Sequence, residues 1–167
     1  RVCYAAPRSE SLTDPMSIPD FLHEARARGF IHQTTDEAAL GARLKAGPVT
    51  GYIGFDATAD SLHIGHLVPL LALARLQRFG HHPIAVAGGG TTMVGDPGGR
   101  TTERTLMTRE RIEANLVSIK KQLAHFLDFD SKTNPAQLVN NADWLLKLNL
   151  IDFLRDIGKH FTINTMI

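Results

Sequence analysis

Apolar residues recur along this chain with two different periods, and the changes between them mark out its elements. Phe21, Leu22 and Ala25 fall at helical spacing over 19–28, and Gly29 supplies a C-terminal stop. A second helix follows, capped by Thr34 or Thr35, with Asp36 and Glu37 suited to its first turn and Gly47-Pro48 ending it. Residues 49–55 form a β-rich run bounded by Pro48 and Asp56, which predicts a short buried strand. From 65 to 79, Leu67, Val68, Leu70, Leu71, Leu73, Leu76 and Phe79 make a helix so broadly apolar that it predicts burial against a sheet. Pro69 is tolerated there because it lies in the first turn, and Gly80 closes the helix. Residues 83–88 read as the next strand, so strand, helix and strand compose a right-handed parallel crossover in a sheet covered on both faces.

The stretch 88–100 is too glycine-rich for an element and long for a simple connection, so it reads as a functional loop. Residues 108–126 are amphipathic: Ile112, Leu116, Ile119, Leu123 and Phe126 lie on one stripe, while Arg109, Arg111, Lys120 and Lys121 form a solvated face. Thr108 can cap that helix. A weaker strand is expected at 138–141 and a further helix at 150–157, ended by Gly158. Residues 161–167 are mostly apolar, with nothing polar closing the pattern. The first fifteen residues lack periodicity and precede Met16, a plausible natural start; they read as a disordered or expression-derived leader, with a transit-peptide remnant as the second choice.

With 167 residues, 43% of them hydrophobic, the chain can bury one sizeable core without disulfides. Eighteen basic against 17 acidic residues leave a net charge of +1, which supplies no electrostatic case for a dedicated nucleic-acid or membrane surface. The single cysteine, Cys3, excludes an internal disulfide framework and suits a reducing compartment, and no apolar run reaches the length of a membrane span. A cytoplasmic location is expected. Of the remaining histidines, His81 and His82 are expected at a solvated turn, and His32, His125 and His160 at structural or surface positions.

Ligands of open parallel sheets sit at the carboxyl ends of the strands. Both 56–66 and 88–100 leave from such ends and should line one crevice. His63 and His66 stand three apart where a helix begins, on one face near its positive end, with free amides aimed at a phosphate. Named phosphate motifs fail: Gly99-Arg100-Thr101 lacks the Walker lysine and first glycine, and Met93 takes the third glycine position of the dinucleotide fingerprint. Asp60, His63 and His66 lack the spacing of a zinc-binding helix, so no metal site is expected.

The stretch Gly54-Phe55-Asp56-Ala57-Thr58-Ala59-Asp60-Ser61-Leu62-His63-Ile64-Gly65-His66-Leu67 resembles the signature of the class I aminoacyl-tRNA synthetases. Taken with Gly95-Asp96-Pro97, Glu103-Arg104-Thr105-Leu106, Asn140-Asn141, Trp144 and the run from Phe153 to Phe161, it resembles the bacterial-type tyrosyl-tRNA synthetases from about Phe21 to the end of the chain. The resemblance implies an α/β fold: the first half of a Rossmann-like (HUP-type) parallel sheet flanked by helices, with the start of the dimer-interface insertion. Domains are then a leader at 1–15, N-terminal helices at 16–48 and a partial catalytic domain at 49–167.

The resemblance further implies ATP-dependent activation of L-tyrosine to tyrosyl-adenylate and its transfer to tRNA(Tyr), by positioning and charge stabilisation rather than an enzyme nucleophile. Catalytic residues would be Thr58, His63, His66, Arg100 and Arg104; Arg100 replaces a more usual lysine. Tyr52, Asp96 and Asn141 would bind tyrosine, with Asn141 and Trp144 as pocket wall or support. Gly54, Asp56, Thr58, His63, Gly65 and His66 would bind ATP, Gly65 letting adenine pack close. ATP enters as substrate with Mg2+ and no tightly bound cofactor is expected; the implied partners are L-tyrosine, ATP, tRNA(Tyr) and a second copy in a homodimer, with no membrane. The segments that complete tyrosine binding, the KMSKS-type loop and the RNA-binding region are absent from these residues, so the chain reads as an amino-terminal portion unable to charge tRNA alone. The rival readings are another class I synthetase, an HxGH nucleotidyltransferase, or a non-catalytic nucleotide-binding module on the same fold.

Overall fold

The computed structural model describes residues 20–94 and 107–162. The expected leader, the loop positions Asp96, Arg100 and Arg104, and the apolar stretch from 163 onward lie outside the described residues.

Helix α1 (Phe21–Ala27) starts where the Asp20 carboxylate accepts the His23 amide at 2.7 Å. It is followed by Gly29 at φ +72°, a backbone state that glycine adopts without strain. Helix α2 (Glu37–Lys45) corrects one expectation, because its cap is Asp36, not Thr34 or Thr35. The Asp36 carboxylate accepts the Ala39 amide at 2.9 Å and adds negative charge at the positive end of the helix, which a threonine hydroxyl cannot do.

Strands β1 (Thr50–Phe55), β2 (His82–Ala87) and β3 (Gln137–Asn140) form one parallel sheet in the order β1-β2-β3. Helix α3 (Leu67–Arg78) makes the β1-to-β2 crossover, and α5 (Arg109–Leu123) lies on the connection from β2 to β3. The register sets Ile53 beside Ala85 and Leu138, and Phe55 beside Ala87 and Asn140. Period-two alternation therefore sends Ile53, Phe55, Ala85 and Leu138 to one face. There they meet Leu70, Leu73 and Leu76 of α3 and Ile112, Ile119 and Leu123 of α5, forming the core with Ala57, Leu127 and Ala136. Thr50, Tyr52 and Gly54 point to the other face and are exposed, so that face is only partly covered among the described residues and the expectation of a sheet packed on both faces does not hold for them.

The stretch expected to be a loop holds another correction. Residues Gly89–Val94 form a short helix, α4, opening where the Thr92 amide bonds the Gly88 carbonyl at 2.8 Å. Its glycines serve close packing rather than unusual backbone angles: a Cβ on Gly89 would stand 2.2 Å from Asn140 Oδ1, and one on Gly90 would stand 3.2 Å from Ala142 Cα. Helix α6 (Ala142–Leu145) follows β3, and α7 (Leu150–Asp156) is capped by Asn149, which accepts the Ile151 amide at 2.9 Å. Helix α7 stops before Gly158, as expected, and Gly158 then opens a 3₁₀ turn, Gly158–His160.

Candidate active site

The site is built at the carboxyl end of β1. Phe55 and Ala57 are buried in the core, and the alternation between them turns Asp56 and Thr58 outward, where both are exposed. The loop then crosses toward α3 without regular structure until a 3₁₀ turn, Ile64–His66, leads into α3. The long helix thus begins at Leu67, not at Gly65 as the periodicity predicts.

That turn is held by its own histidines. His63 Nδ1 accepts the Gly65 amide at 3.0 Å, and His66 Nδ1 accepts the His63 amide at 3.2 Å. The two imidazoles stack with centroids 3.8 Å apart and planes 25° apart, and His66 also leans on the Phe55 ring at 6.0 Å. A Cβ at Gly65 would come within 2.8 Å of the His63 ring, so glycine is what admits the stack. The amides expected to be free for a phosphate are therefore partly occupied: those of His63 and Gly65 by imidazoles, that of His66 by the His63 carbonyl at 2.9 Å. Because each Nδ1 accepts, each neutral ring carries its proton on Nε2, so imidazole N–H groups are among the donors this turn offers a ligand. Burial lowers the His66 pKa, the neighbouring His63 adds to this, and Asp56 opposes it. His66 is thus biased toward the neutral form, a donor and acceptor without charge of its own.

The end of β2 borders the same space. The Gly88 amide donates to the Phe55 carbonyl at 2.8 Å, and a Cβ on Gly88 would stand 3.4 Å from Asp56 Oδ1. The two strand-end segments thus meet, as carboxyl ends of neighbouring parallel strands do. Asn141 is buried beneath them, its Oδ1 accepting the Gly90 amide at 2.7 Å and its Nδ2 donating to Thr91 Oγ1 at 3.1 Å. Both ends of its side-chain amide are engaged in joining β3 to α4. Tyr52 is 74% exposed on the open face of β1, with Gly54 two residues on and open space where its Cβ would be. Trp144, on α6, is 45% exposed.

A hollow of about 440 Å3 also runs along β1, lined by Phe21, Leu44, Val49, Tyr52, Ile53 and Leu73. Its apolar walls suit side chains rather than phosphates, so the site is placed by the histidine turn, not by that hollow.

Two residues outside the motif, Asn115 and Gln122, hold the loop of the site, and a third, His81, fixes the far end of β1. Asn115, 1% exposed, donates through Nδ2 to the Ala57 carbonyl at 2.8 Å. Gln122 donates to the Asp60 carbonyl and accepts the Leu62 amide, both at 2.9 Å. His81, expected in solvent, is 6% exposed: its Nδ1 accepts the Val49 amide at 3.3 Å, and its ring meets Phe21 edge-on at 6.0 Å. The sequence signal for Asn115 is an amide inside an apolar stripe, three residues after Ile112 and four before Ile119. Arg109, Arg111, Lys120 and Lys121 are exposed, as expected of a solvated face.

Residues 44–167 match the family model described as tRNA synthetases class I (W and Y). The chain belongs to that family. Among curated members, it is 57% identical over 146 residues to the tyrosine–tRNA ligase of Opitutus terrae, a match covering 87% of this chain and 34% of that protein. The tyrosine–tRNA ligase of Salmonella enteritidis PT4 is 51% identical over 152 residues, covering 91% of the chain and 36% of the relative. This member of the class I synthetases therefore spans about a third of the length of the curated relatives it matches. A crystal structure of a C-terminally truncated mitochondrial tyrosyl-tRNA synthetase from Aspergillus nidulans superposes with a TM-score of 0.75 at 31% identity, over 88% of this chain and 44% of that one. The parallel sheet and its helices are thus the Rossmann-like fold of this synthetase family.

Proposed function

We propose that the protein carrying these residues is a tyrosine–tRNA ligase of the translation machinery in the cytoplasm. It would activate L-tyrosine with ATP and pass the tyrosyl group to tRNA(Tyr). The observation that carries the reading is identity of 50–57% to proteins named tyrosine–tRNA ligase, over a stretch that includes the histidine turn and both strand ends.

In this reading the tyrosine carboxylate attacks the α-phosphate of ATP, the bond to pyrophosphate breaks, and the acyl-adenylate hands its acyl group to the tRNA 3′ end. Thr58 and His63 hold the departing phosphates, with the His63 Nε2–H as donor. His66, biased toward the neutral form and stacked on His63, contacts the nucleotide through its own Nε2–H. Charge that develops on phosphate oxygens is met by donors fixed beforehand, which is where such donors contribute most. Tyr52 meets the substrate phenol and Asp56 lies between the amino-acid and ribose ends. Asp96 holds the substrate ammonium, and Arg100 and Arg104 close over pyrophosphate. Asn141, with its amide engaged by Gly90 and Thr91, acts as support beneath the tyrosine site. Mg2+ would enter with ATP, bound to its phosphates. The exposed apolar residues of α6 and α7 suit a homodimer contact.

The test is amino-acid-dependent ATP–pyrophosphate exchange by the full protein. Exchange should require tyrosine; exchange with tryptophan instead would move the protein to the other branch of its family, and none with any amino acid would favour a non-catalytic module.

A further inference from the structure

The loop between β1 and the histidine turn carries Thr58 and precedes His63, yet residues 56–62 belong to no helix or strand. Backbone groups in such a segment must find partners elsewhere if the loop is to hold one shape. They find them on a single helix. Asn115 and Gln122 stand seven residues apart on α5, two turns along the same face. Asn115 Nδ2 takes the Ala57 carbonyl at 2.8 Å; Gln122 Nε2 takes the Asp60 carbonyl and its Oε1 takes the Leu62 amide, both at 2.9 Å. Thr58 is thereby bracketed by bonded carbonyls, and His63 follows directly on a bonded amide.

We propose that Gln122 and Asn115 are positioning residues for adenylate formation, fixing the loop so that Thr58 and His63 meet the phosphates in one geometry. The proposal rests on the synthetase reading above. Stability alone would favour a different choice of residue. Asn115 lies in the apolar stripe between Ile112 and Ile119, and the Ala57 carbonyl fixes its amide orientation, which leaves Asn115 Oδ1 buried with no partner among the described residues. A buried amide satisfied at one end is costly relative to an aliphatic side chain of similar volume. What it supplies is a directional bond to the residue between Asp56 and Thr58.

The test uses Gln122→Met in the full protein, which keeps side-chain length and removes both bonds. Tyrosine-dependent exchange should lose about tenfold in kcat, while the KM for tyrosine stays within about twofold because Tyr52 lies on β1, outside the held loop. The Leu62 amide, followed by hydrogen exchange without substrates, should lose its protection. Gln122→Glu still accepts the Leu62 amide and should restore that protection with part of the rate. A lowered Tm with unchanged kcat, a raised tyrosine KM with unchanged kcat, or a Leu62 amide indifferent to Gln122→Met would each overturn the proposal. Failure of the unmutated protein to exchange with tyrosine would instead refute the synthetase reading, and Leu62 protection, which needs no substrate, would still report whether the clamp exists.

Discussion

The loop at 56–62 and the helix α7 are opposites in how regularity relates to integration. The loop has no repeating backbone bonds, yet Asn115 and Gln122 tie it at three points to the helix that also carries the core residues Ile112, Ile119 and Leu123. Helix α7 is regular and well capped, yet Leu150, Ile151, Phe153 and Leu154 are all exposed. Its main contact with another element is the 3₁₀ turn that follows it. Secondary structure thus says little about which part of this molecule is fixed: the irregular loop is built for one geometry, and the regular helix presents apolar surface that nothing among the described residues covers.

The strongest way to break that contrast is at the histidine turn. If the loop exists to aim donors, then His63→Ala and His66→Ala in the full protein should each cut kcat for tyrosine-dependent exchange by about 10²–10³-fold, the usual loss for one preorganised donor. The Tm should fall by no more than a few degrees, since each change removes one local cap bond from a turn that is exposed or only partly buried. A large fall in Tm with little change in kcat would mean that the stack serves folding, not catalysis. Gly89→Ala probes the framework below. Its Cβ would collide with the Asn140 side chain, so a cost of about 1–3 kcal/mol in urea denaturation is expected from overpacking. A neutral result would show that the junction of β2, β3 and α4 is looser than its geometry suggests.

A smaller effect tests the entry to β1. His81 has its pKa lowered by burial and by the nearby His82 and Arg43. A histidine whose folded pKa lies below the ordinary value of about 6.5 binds fewer protons folded than unfolded, so its contribution is complete above that value and is lost as pH falls below it. His66 shifts in the same direction, so the wild-type slope belongs to both. His81→Asn keeps an acceptor near the Val49 amide without a titrating ring. Its urea midpoint should fall less between pH 7.5 and pH 5.5 than that of the unmutated protein, and an equal fall would remove His81 from the account.

Most of the scaffold is legible in the sequence because it follows from periodicity. The strand at β1, the broad apolar helix α3 and the stripe of α5 all come from spacing alone. What is not legible depends on partners distant in the chain. Asp36 outcompetes Thr34 and Thr35 as a cap because only the carboxylate reaches the amide with a charge. The glycines of α4 read as a loop because glycine disfavours helices; in the fold the Gly90 amide is taken by Asn141 Oδ1, and Asn140 and Ala142, some fifty residues later, leave no room there for side chains other than glycine's hydrogen. His81 reads as a turn residue by position and is buried because Phe21 and Val49 close over it. In the site, the residue types around His63 and His66 are visible in the motif, whereas the use of each Nδ1 within the turn, and hence the Nε2 proton, is a matter of three dimensions.

The smallest stability effect is expected on α7, and it sharpens the contrast most directly. Ile151 is 68% exposed, and serine has a helix propensity close to that of isoleucine, so Ile151→Ser removes apolar surface while leaving the Asn149 cap in place. At a concentration low enough for monomer, its unfolding free energy should lie within about 0.5 kcal/mol of the unmutated protein. Sedimentation velocity across a concentration series should then show weaker self-association, because the lost surface is what a second copy would cover. If Ile151→Ser instead destabilised the monomer as much as Gly89→Ala, α7 would have to be packed within its own chain, and the contrast between a held loop and an unpartnered helix would fail.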